Sequence, residues 1–176
     1  MEMITDQLGI RRATVADATI VAEHRVRMFV DTGRLDADRA AVLRAKLPAI
    51  LQPMLASGEY IGWFITTPND DVVAGAGVQM RHLLPRPETF TEREALVVNV
   101  YVAPEYRRQG LARRLMTTIL DWCKEQAIER VVLHPSSLGR PLYESLGFIP
   151  TNELVCYQPT SRGVEGEPAV KHTQEQ

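Results

Sequence analysis

The run from Leu96 to Val102 is the feature that most constrains the fold. Its sequence, Leu-Val-Val-Asn-Val-Tyr-Val, is too apolar for a strand with one face in water, so we expect a central strand of a sheet. A loop over residues 107–112 follows and leads into an amphipathic helix that ends near Gln126. Arg130–His134 is then a short strand candidate. This order of strand, helix and strand predicts a parallel pair joined by a right-handed crossover.

The first half of the chain predicts three strands and a helix, and the last two of these strands form a hairpin. Gly9–Arg12 is a strand candidate, and the capping-box pattern of Thr14–Asp17 starts a helix that we expect to end at Asp31. Glu59–Thr67 and Val72–Leu84 are strand candidates separated by a turn, which predicts an antiparallel hairpin.

Two further regions predict helices whose limits are less regular. Asp36–Ser57 has a helical pattern, but Pro48 and Pro53 should break it into two short pieces, because proline lacks the backbone N–H and clashes with the preceding turn. Leu138–Leu146 is a short helix candidate that Gly147 would end. The last strand pieces are expected at Phe148–Ile149 and Val155–Tyr157.

The composition is that of one domain with a small net charge. The 176 residues carry 20 Lys+Arg and 22 Asp+Glu, a net charge of −2, so we expect neither nucleic acid nor a membrane as partner. Only Cys123 and Cys156 are present, without CxxC spacing, which disfavours a disulfide scaffold and a metal site. The first residues lack a signal-peptide pattern, so we expect a cytoplasmic protein. We place one domain at 1–158 and a flexible tail at 159–176.

The junction between the central strand and the next helix is the candidate functional site. Unpaired N–H groups at a helix start, together with the positive end of the helix dipole, form an anion site. Gly110 lets the backbone approach a ligand closely, and Ala112 is small for the same purpose. An anion would also offset the arginines that crowd this positive end, which are Arg107, Arg108, Arg113 and Arg114. A solvated arginine face is the alternative interpretation.

These residues resemble the signature of the GNAT superfamily of N-acetyltransferases. The family pattern Arg/Gln-x-x-Gly-x-Gly/Ala is matched by Arg107–Ala112, and a late Leu-Tyr-x-x-x-Gly-Phe is matched by Leu142–Phe148. The resemblance covers about residues 9–158. It implies an α+β fold with a twisted, mostly antiparallel sheet, a central splayed pair of parallel strands and flanking helices.

The resemblance also implies that acetyl-CoA is the cosubstrate. Backbone groups of Val100 and Val102 in the splayed strand would pair with the pantetheine arm, and the loop amides would hold the pyrophosphate. Ser136 and Gly139 stand where the family often has asparagine and alanine. The residues assigned to the cosubstrate are Val100, Tyr101, Val102, Arg107, Arg108, Gln109, Gly110, Leu111, Ala112, Arg113 and Ser136.

Tyr143 is the predicted general acid, because it matches the family tyrosine. A phenol with a pKa of about 10 can donate a proton to a departing thiolate whose thiol has a pKa of about 8.5. The alternative is a tyrosine that only packs the last helix on the sheet. A family glutamate that acts as base falls on Leu96 here, so that role cannot be carried over. If the strand alternates regularly, Glu94 shares one face with Leu96, Val98 and Val100, which makes Glu94 a candidate base acting through water.

Other candidate bases are Glu59, Tyr60 and Asp31, around the expected cleft. His82 and His134 fit packed or exposed positions better than a catalytic one, and Cys123 fits a buried, inert position.

We therefore expect an N-acetyltransferase that passes acetyl directly from acetyl-CoA to a primary amine of a small molecule or peptide in a ternary complex, without a metal. A non-catalytic acyl-CoA-binding or sensing module is the alternative, and the charge of −2 disfavours a nucleic-acid binder. A homodimer stays open. An acceptor with a carboxylate or phosphate would suit the basic residues Arg34, Arg39, Arg44 and Lys46, although a solvated helix face is the favoured interpretation.

Overall fold

The computed structural model describes residues 7–87 and 90–151. Within these ranges the strands form one sheet in the order β1-β2-β3-β4-β5. Only β4 and β5 are parallel, and the other neighbouring pairs are antiparallel. The expected α+β fold with one central parallel pair is therefore confirmed. The strands are Gly9–Arg12 (β1), Tyr60–Thr66 (β2), Val72–His82 (β3), Arg93–Val102 (β4) and Arg130–Val132 (β5).

The described helices lie between these strands and after the last one. They are Ala18–Asp31 (α1), Ala37–Ser57 (α2), Leu111–Glu125 (α3) and Arg140–Glu144 (α4). Short 3₁₀ turns precede α1 and α3. The backbone N–H of Thr14 donates to Asp17 at 2.7 Å, so the expected capping box is formed. None of the described helices combines the length and the apolar character that a bilayer crossing requires.

Each face of the sheet carries its own apolar layer. On one face, Leu115, Met116 and Ile119 of α3 are fully buried and join a cluster with Ala95 and Val97 of β4. On the other face, α1 and α2 pack against Tyr60 and Phe64 of β2. The sheet therefore lies between α3 and the α1–α2 pair, and β4 contacts both sides.

α2 is one continuous helix, so the expectation of a break at Pro48 and Pro53 is wrong. Each proline removes one N–H donor and costs about 3 kcal/mol in a helix interior. Ala40, Leu47 and Leu51 are buried against α1 and the sheet along the length of α2. Packing on both sides of each proline thus holds an axis that local propensity disfavours.

The segment after α4 also differs from expectation. Gly147 has φ +91°, and the N–H groups of Gly147 and Phe148 donate to the carbonyl oxygens of Glu144 and Tyr143 at 3.0 and 3.1 Å. These two bonds form a Schellman cap. Phe148–Ile149 is therefore not a strand, because the N–H of Phe148 is used to end the helix. The expected strand at Val155–Tyr157 and the tail at 159–176 lie outside the described residues.

Candidate active site

β4 and β5 separate after three residue pairs, of which the last is Leu96 with Val132. From Val97 to Val102, the edge of β4 that faced β5 has no strand partner among the described residues. The splayed parallel pair is thus confirmed. An unpaired strand edge presents N–H and C=O groups that a ligand can use.

A β-bulge interrupts β4 where this separation begins. Val98 pairs with Gly77 of β3 and Tyr101 pairs with Gly75, so three steps along β4 correspond to two along β3. Asn99 lies in the bulge with φ +58°, a left-handed conformation that asparagine tolerates better than most residues.

The side chain of Asn99 is buried and connects the helices to the sheet. Its Oδ1 accepts a hydrogen bond from Nη1 of Arg25 on α1 at 2.8 Å, and its Nδ2 donates to the hydroxyl of Tyr60 at 3.2 Å. A Cβ at Gly77 would overlap that hydroxyl, so glycine makes room for the ring. Burial raises the pKa of Tyr60 to about 12, which makes its phenol a poor base near neutral pH. Sequence reasoning gave the side chains of Asn99 and Arg25 no role; the available signal was one amide in an apolar strand.

The bulge reverses the alternation of the β4 side chains between the two faces of the sheet. Val97 packs on the α3 side and Val98 packs against the α1–α2 side. Beyond the bulge, Val100 and Val102 pack on the α3 side. The expectation that Glu94, Val98 and Val100 share a face is therefore wrong for Val100, because the strand does not alternate regularly.

Glu94 lies at the other end of β4, between two arginines. It is 2% exposed and pairs in register with Arg81 of β3 and Arg130 of β5. Its Oε1 lies 3.4 Å from Nε of Arg81, and Oε2 forms an ion pair with Arg130. Five residues of strand, roughly 16 Å, separate it from the bulge. This geometry gives Glu94 a structural ion pair, and its role as base stays a prediction.

The loop before α3 has the backbone conformation of an anion cradle. Arg108 and Gly110 have φ +61° and +80°, and α3 begins at Leu111. Left-handed residues at a helix start turn successive N–H groups toward one point. A Cβ built on Gly110 meets no atom within 4 Å, so the space beside the loop is open. The side chain of Leu111 is buried in the core, which leaves only its backbone to face a ligand.

Three of the four arginines of this region are held by other protein groups. Arg107 pairs with Asp31, and its Nε donates to the carbonyl oxygen of Val102 at 2.9 Å. Arg113 donates to the hydroxyl of Ser145 at 2.7 Å. Nη1 of Arg114 donates to the carbonyl oxygen of Leu8 at 2.8 Å.

Arg108 is exposed and has no side-chain partner among the described residues. Gln109 closes the turn, since its Nε2 donates to the carbonyl oxygen of Glu105 at 3.1 Å. Ala112 is partly exposed on the first turn of α3. Among the residues that the structure describes, Arg108 is thus the loop arginine without a partner, while its neighbours shape the loop.

Tyr143 lies in α4, where the Schellman cap places its ring against Phe148 with ring centres 6.0 Å apart. It lines an open groove along β5. A Cβ at Gly139 would lie 3.0 Å from this ring, so a small residue lets the ring approach the turn. Burial raises the pKa of Tyr143, so the phenol holds its proton at neutral pH. The hydroxyl oxygen of Ser136 accepts from the N–H of Gly139 at 3.2 Å, and its own proton can still be donated.

The side chain of Tyr101 points toward α1 instead of the open edge. Its ring centre lies 4.8 Å from that of His24, and only 6% of the residue is exposed. The Tyr101 side chain is therefore turned away from the splayed edge, and its backbone pairs with Gly75 of β3. Burial lowers the pKa of His24 to about 4, and the charge of Arg27 adds to this effect while Glu23 opposes it. Burial also raises the pKa of Cys123 to about 11, which leaves its thiol inert.

Comparison with known proteins gives one family. The model of the acetyltransferase (GNAT) family matches residues 24–148. The solved structure of a GCN5-related N-acetyltransferase from Ralstonia eutropha has a TM-score of 0.80 and 30% identity, with 86% of this chain and 98% of that chain covered. A predicted acetyltransferase with acetyl-CoA from Clostridium acetobutylicum has the same fold, with a TM-score of 0.77 at 24% identity over 86% and 96% of the two chains.

Curated relatives match over shorter segments. The ribosomal protein bS18-alanine N-acetyltransferase of Escherichia coli is 35% identical over 75 residues, which is 41% of this chain and 51% of the relative. N-acetyltransferase 8 of Homo sapiens is 31% identical over 68 residues, 37% of this chain and 30% of the relative. The matched part thus spans about a third to a half of these relatives.

Proposed function

The chain belongs to the GNAT family of acetyltransferases, and on that premise we propose that it transfers an acetyl group from acetyl-CoA to a primary amine. One observation carries the proposal. The edge of β4 at Val97–Val102, which has no strand partner in the part of the chain that the structure describes, leads directly into the left-handed loop at Arg108–Gly110. An extended arm and an anion can therefore be bound next to each other.

The residues of the loop and of β4 fit acetyl-CoA. N–H groups over residues 108–112 would hold the pyrophosphate, with Arg108 as the free cation beside them. Backbone groups of Val100 and Val102 would pair with the pantetheine amides. The carbonyl of Val102 already accepts from Arg107, but a carbonyl oxygen has two lone pairs and can accept a second bond.

When bound, acetyl-CoA supplies a thioester whose C–S bond breaks as the amine nitrogen bonds to the acetyl carbon. Tyr143, protonated at neutral pH, donates its proton to the departing sulfur, while the proton that the amine nitrogen loses passes to solvent, from which the phenol is protonated again. A backbone N–H near the bulge, between Val100 and Val102, stabilises the negative charge that develops on the acetyl oxygen. We propose direct transfer in a ternary complex, in which Tyr143 and the edge of β4 act on the same thioester. A cytoplasmic location and a homodimer stay predictions from the sequence.

Calorimetric titration with acetyl-CoA and CoA, followed by a free-thiol release assay over a panel of amines, tests the proposal. Micromolar binding with thiol release on some amines is the expected result. Binding without release on any amine would contradict acetyl transfer and point to an acyl-CoA sensing module. Absence of binding would contradict the cosubstrate assignment itself.

A further inference from the structure

Arg25 brings a half-buried positive charge to the bulge of β4. Its Nη1 donates to Oδ1 of Asn99 at 2.8 Å, and its guanidinium lies 5.0 Å from the ring centre of Phe29. Arg34, in the segment after α1, lies 5.2 Å from the same ring centre. Two guanidinium groups thus converge on one aromatic ring, next to the strand segment where the acetyl donor is proposed to bind.

Neighbouring arginines have carboxylate partners, whereas these two have none among the described residues. Arg27 and Arg44 both pair with Glu23, at 2.8 and 2.6 Å. Arg107 pairs with Asp31. Among the acidic side chains near the pair in sequence, Glu23, Asp31 and Asp36 already face other cations.

No carboxylate in the described ranges 7–87 and 90–151 pairs with Arg25. Burial lowers its pKa and the charge of Arg34 acts in the same direction, while only the phenol of Tyr60 opposes them. A guanidinium has five N–H groups, and Asn99 accepts from one of them within the described residues. Holding a half-buried cation without a counter-charge is costly unless an anion binds to it.

We infer that Arg25 and Arg34 bind an oxyanion of the acceptor, so that the acceptor is a small amine bearing a carboxylate or a phosphate. The inference rests on the proposed function, which puts the acetyl donor beside the same bulge. The planar guanidinium group of arginine matches the geometry of a carboxylate and of a phosphate. An acceptor without an anionic group would supply no counter-charge to either guanidinium. Arg34 differs from Arg39 and Arg44 in its ion pairing. Arg39 lies 3.9 Å from Asp36, and Arg44 forms an ion pair with Glu23.

Matched acceptor pairs test the inference and distinguish the two oxyanions. Thiol release from acetyl-CoA is measured with alanine against alaninamide, and with phosphoethanolamine against ethanolamine. In at least one pair we expect kcat/KM to be about 10-fold higher for the anionic amine, the effect of a charge-assisted hydrogen bond. The pair that shows the preference identifies the oxyanion. Equal values within both pairs would overturn the inference and leave acetyl transfer established.

Three variants assign the preference to residues. Arg25→Gln and Arg34→Gln should each reduce it by about 5-fold or more, because glutamine keeps much of the length and loses the charged fork. Arg27→Gln is the matched control, since Arg27 lies on the same helix and pairs with Glu23. Arg34 is exposed, so Arg34→Gln tests the inference even where Arg25→Gln fails to fold. An unchanged preference in Arg34→Gln would overturn it.

A titration without turnover separates this inference from the proposed function. The CoA-loaded protein is titrated calorimetrically with the N-acetylated forms of the four amines. Binding of an anionic product about 10-fold tighter than its neutral counterpart would support the oxyanion site even where no amine releases thiol. Equal binding, or binding of none of the four, would overturn the oxyanion site.

Discussion

Arg107 and Asp31 form an ion pair that joins the loop before α3 to the last residue of α1. Nε of the same guanidinium donates to the carbonyl oxygen of Val102 at the end of β4. Arg107 therefore holds three elements together, and its charge is already neutralised. Of the two adjacent arginines, Arg108 is the one whose charge remains available to a phosphate.

Arg108→Ala should weaken the binding of CoA by about 5- to 10-fold at low salt, because an exposed cation beside a phosphate adds one screened, charge-assisted contact. Calorimetric titration at two salt concentrations measures the change. Arg114→Ala is the matched control. Its side chain donates to Leu8, so we expect a loss of about 1 kcal/mol in the free energy of unfolding and an unchanged affinity for CoA. Equal affinities of Arg108→Ala and the parent protein would remove Arg108 from the cosubstrate site.

Tyr143→Phe should lower kcat about 100-fold with little change in the KM for acetyl-CoA, as expected when a proton donor to the leaving group is lost. The ring contact with Phe148 is kept in this variant, so the free energy of unfolding should stay nearly the same. Steady-state kinetics together with urea unfolding measure both quantities. A kcat equal to that of the parent would leave Tyr143 with a packing role only.

Glu94→Gln should lower the free energy of unfolding by about 2–3 kcal/mol, because it leaves Arg81 and Arg130 without their shared counter-charge. We expect the lower part of the usual range, since those side chains are 37% and 28% exposed. Glu144→Gln is the control: its carboxylate lies 3.6 Å from Arg140 on the exposed face of α4, so the loss should stay below about 0.5 kcal/mol.

The kcat of folded Glu94→Gln tests the predicted base: a carboxylate roughly 16 Å along the strand from the bulge that serves only as an ion pair should leave kcat within about twofold of the parent. A folded protein without turnover would instead restore Glu94 as the base.

The buried His24 should make the protein less stable below neutral pH. Its pKa is lowered to about 4 in the folded protein, against 6.5 for an ordinary histidine, so between these values the unfolded chain binds the extra proton. The free energy of unfolding should therefore fall by about 2 kcal/mol from pH 7.5 to pH 5. Urea unfolding at the two values measures the difference. His24→Asn should flatten the pH dependence, and an equally steep dependence in this variant would show that another group causes it.

Features encoded by neighbouring residues were predictable from the sequence. The limits of β1 and α1, the capping box at Thr14–Asp17 and the end of α3 near Gln126 depend on contacts within a few residues. The family signature at Arg107–Ala112 added the splayed edge and the loop.

Features that depend on distant partners were not predictable in this way. Arg25 meets Asn99 across 74 positions, and Glu94 finds its partners on two other strands. The continuity of α2 through Pro48 depends on burial against α1 and the sheet. Local propensity carries none of this information, since a single residue's preference is overridden by packing that the rest of the fold supplies.

The bulge at Asn99 divides β4 into two segments whose side chains alternate between the faces of the sheet in opposite phase. A regular strand of the same sequence, paired with β3 without the bulge, would alternate simply and turn Tyr101 toward α3 and Val102 toward α1. The apolar side chains would then exchange layers without any change in composition. Point substitutions in β4 are thus judged separately on each side of Asn99, while loss of the bulge at this single position would reverse the side chains that line the cleft beyond it.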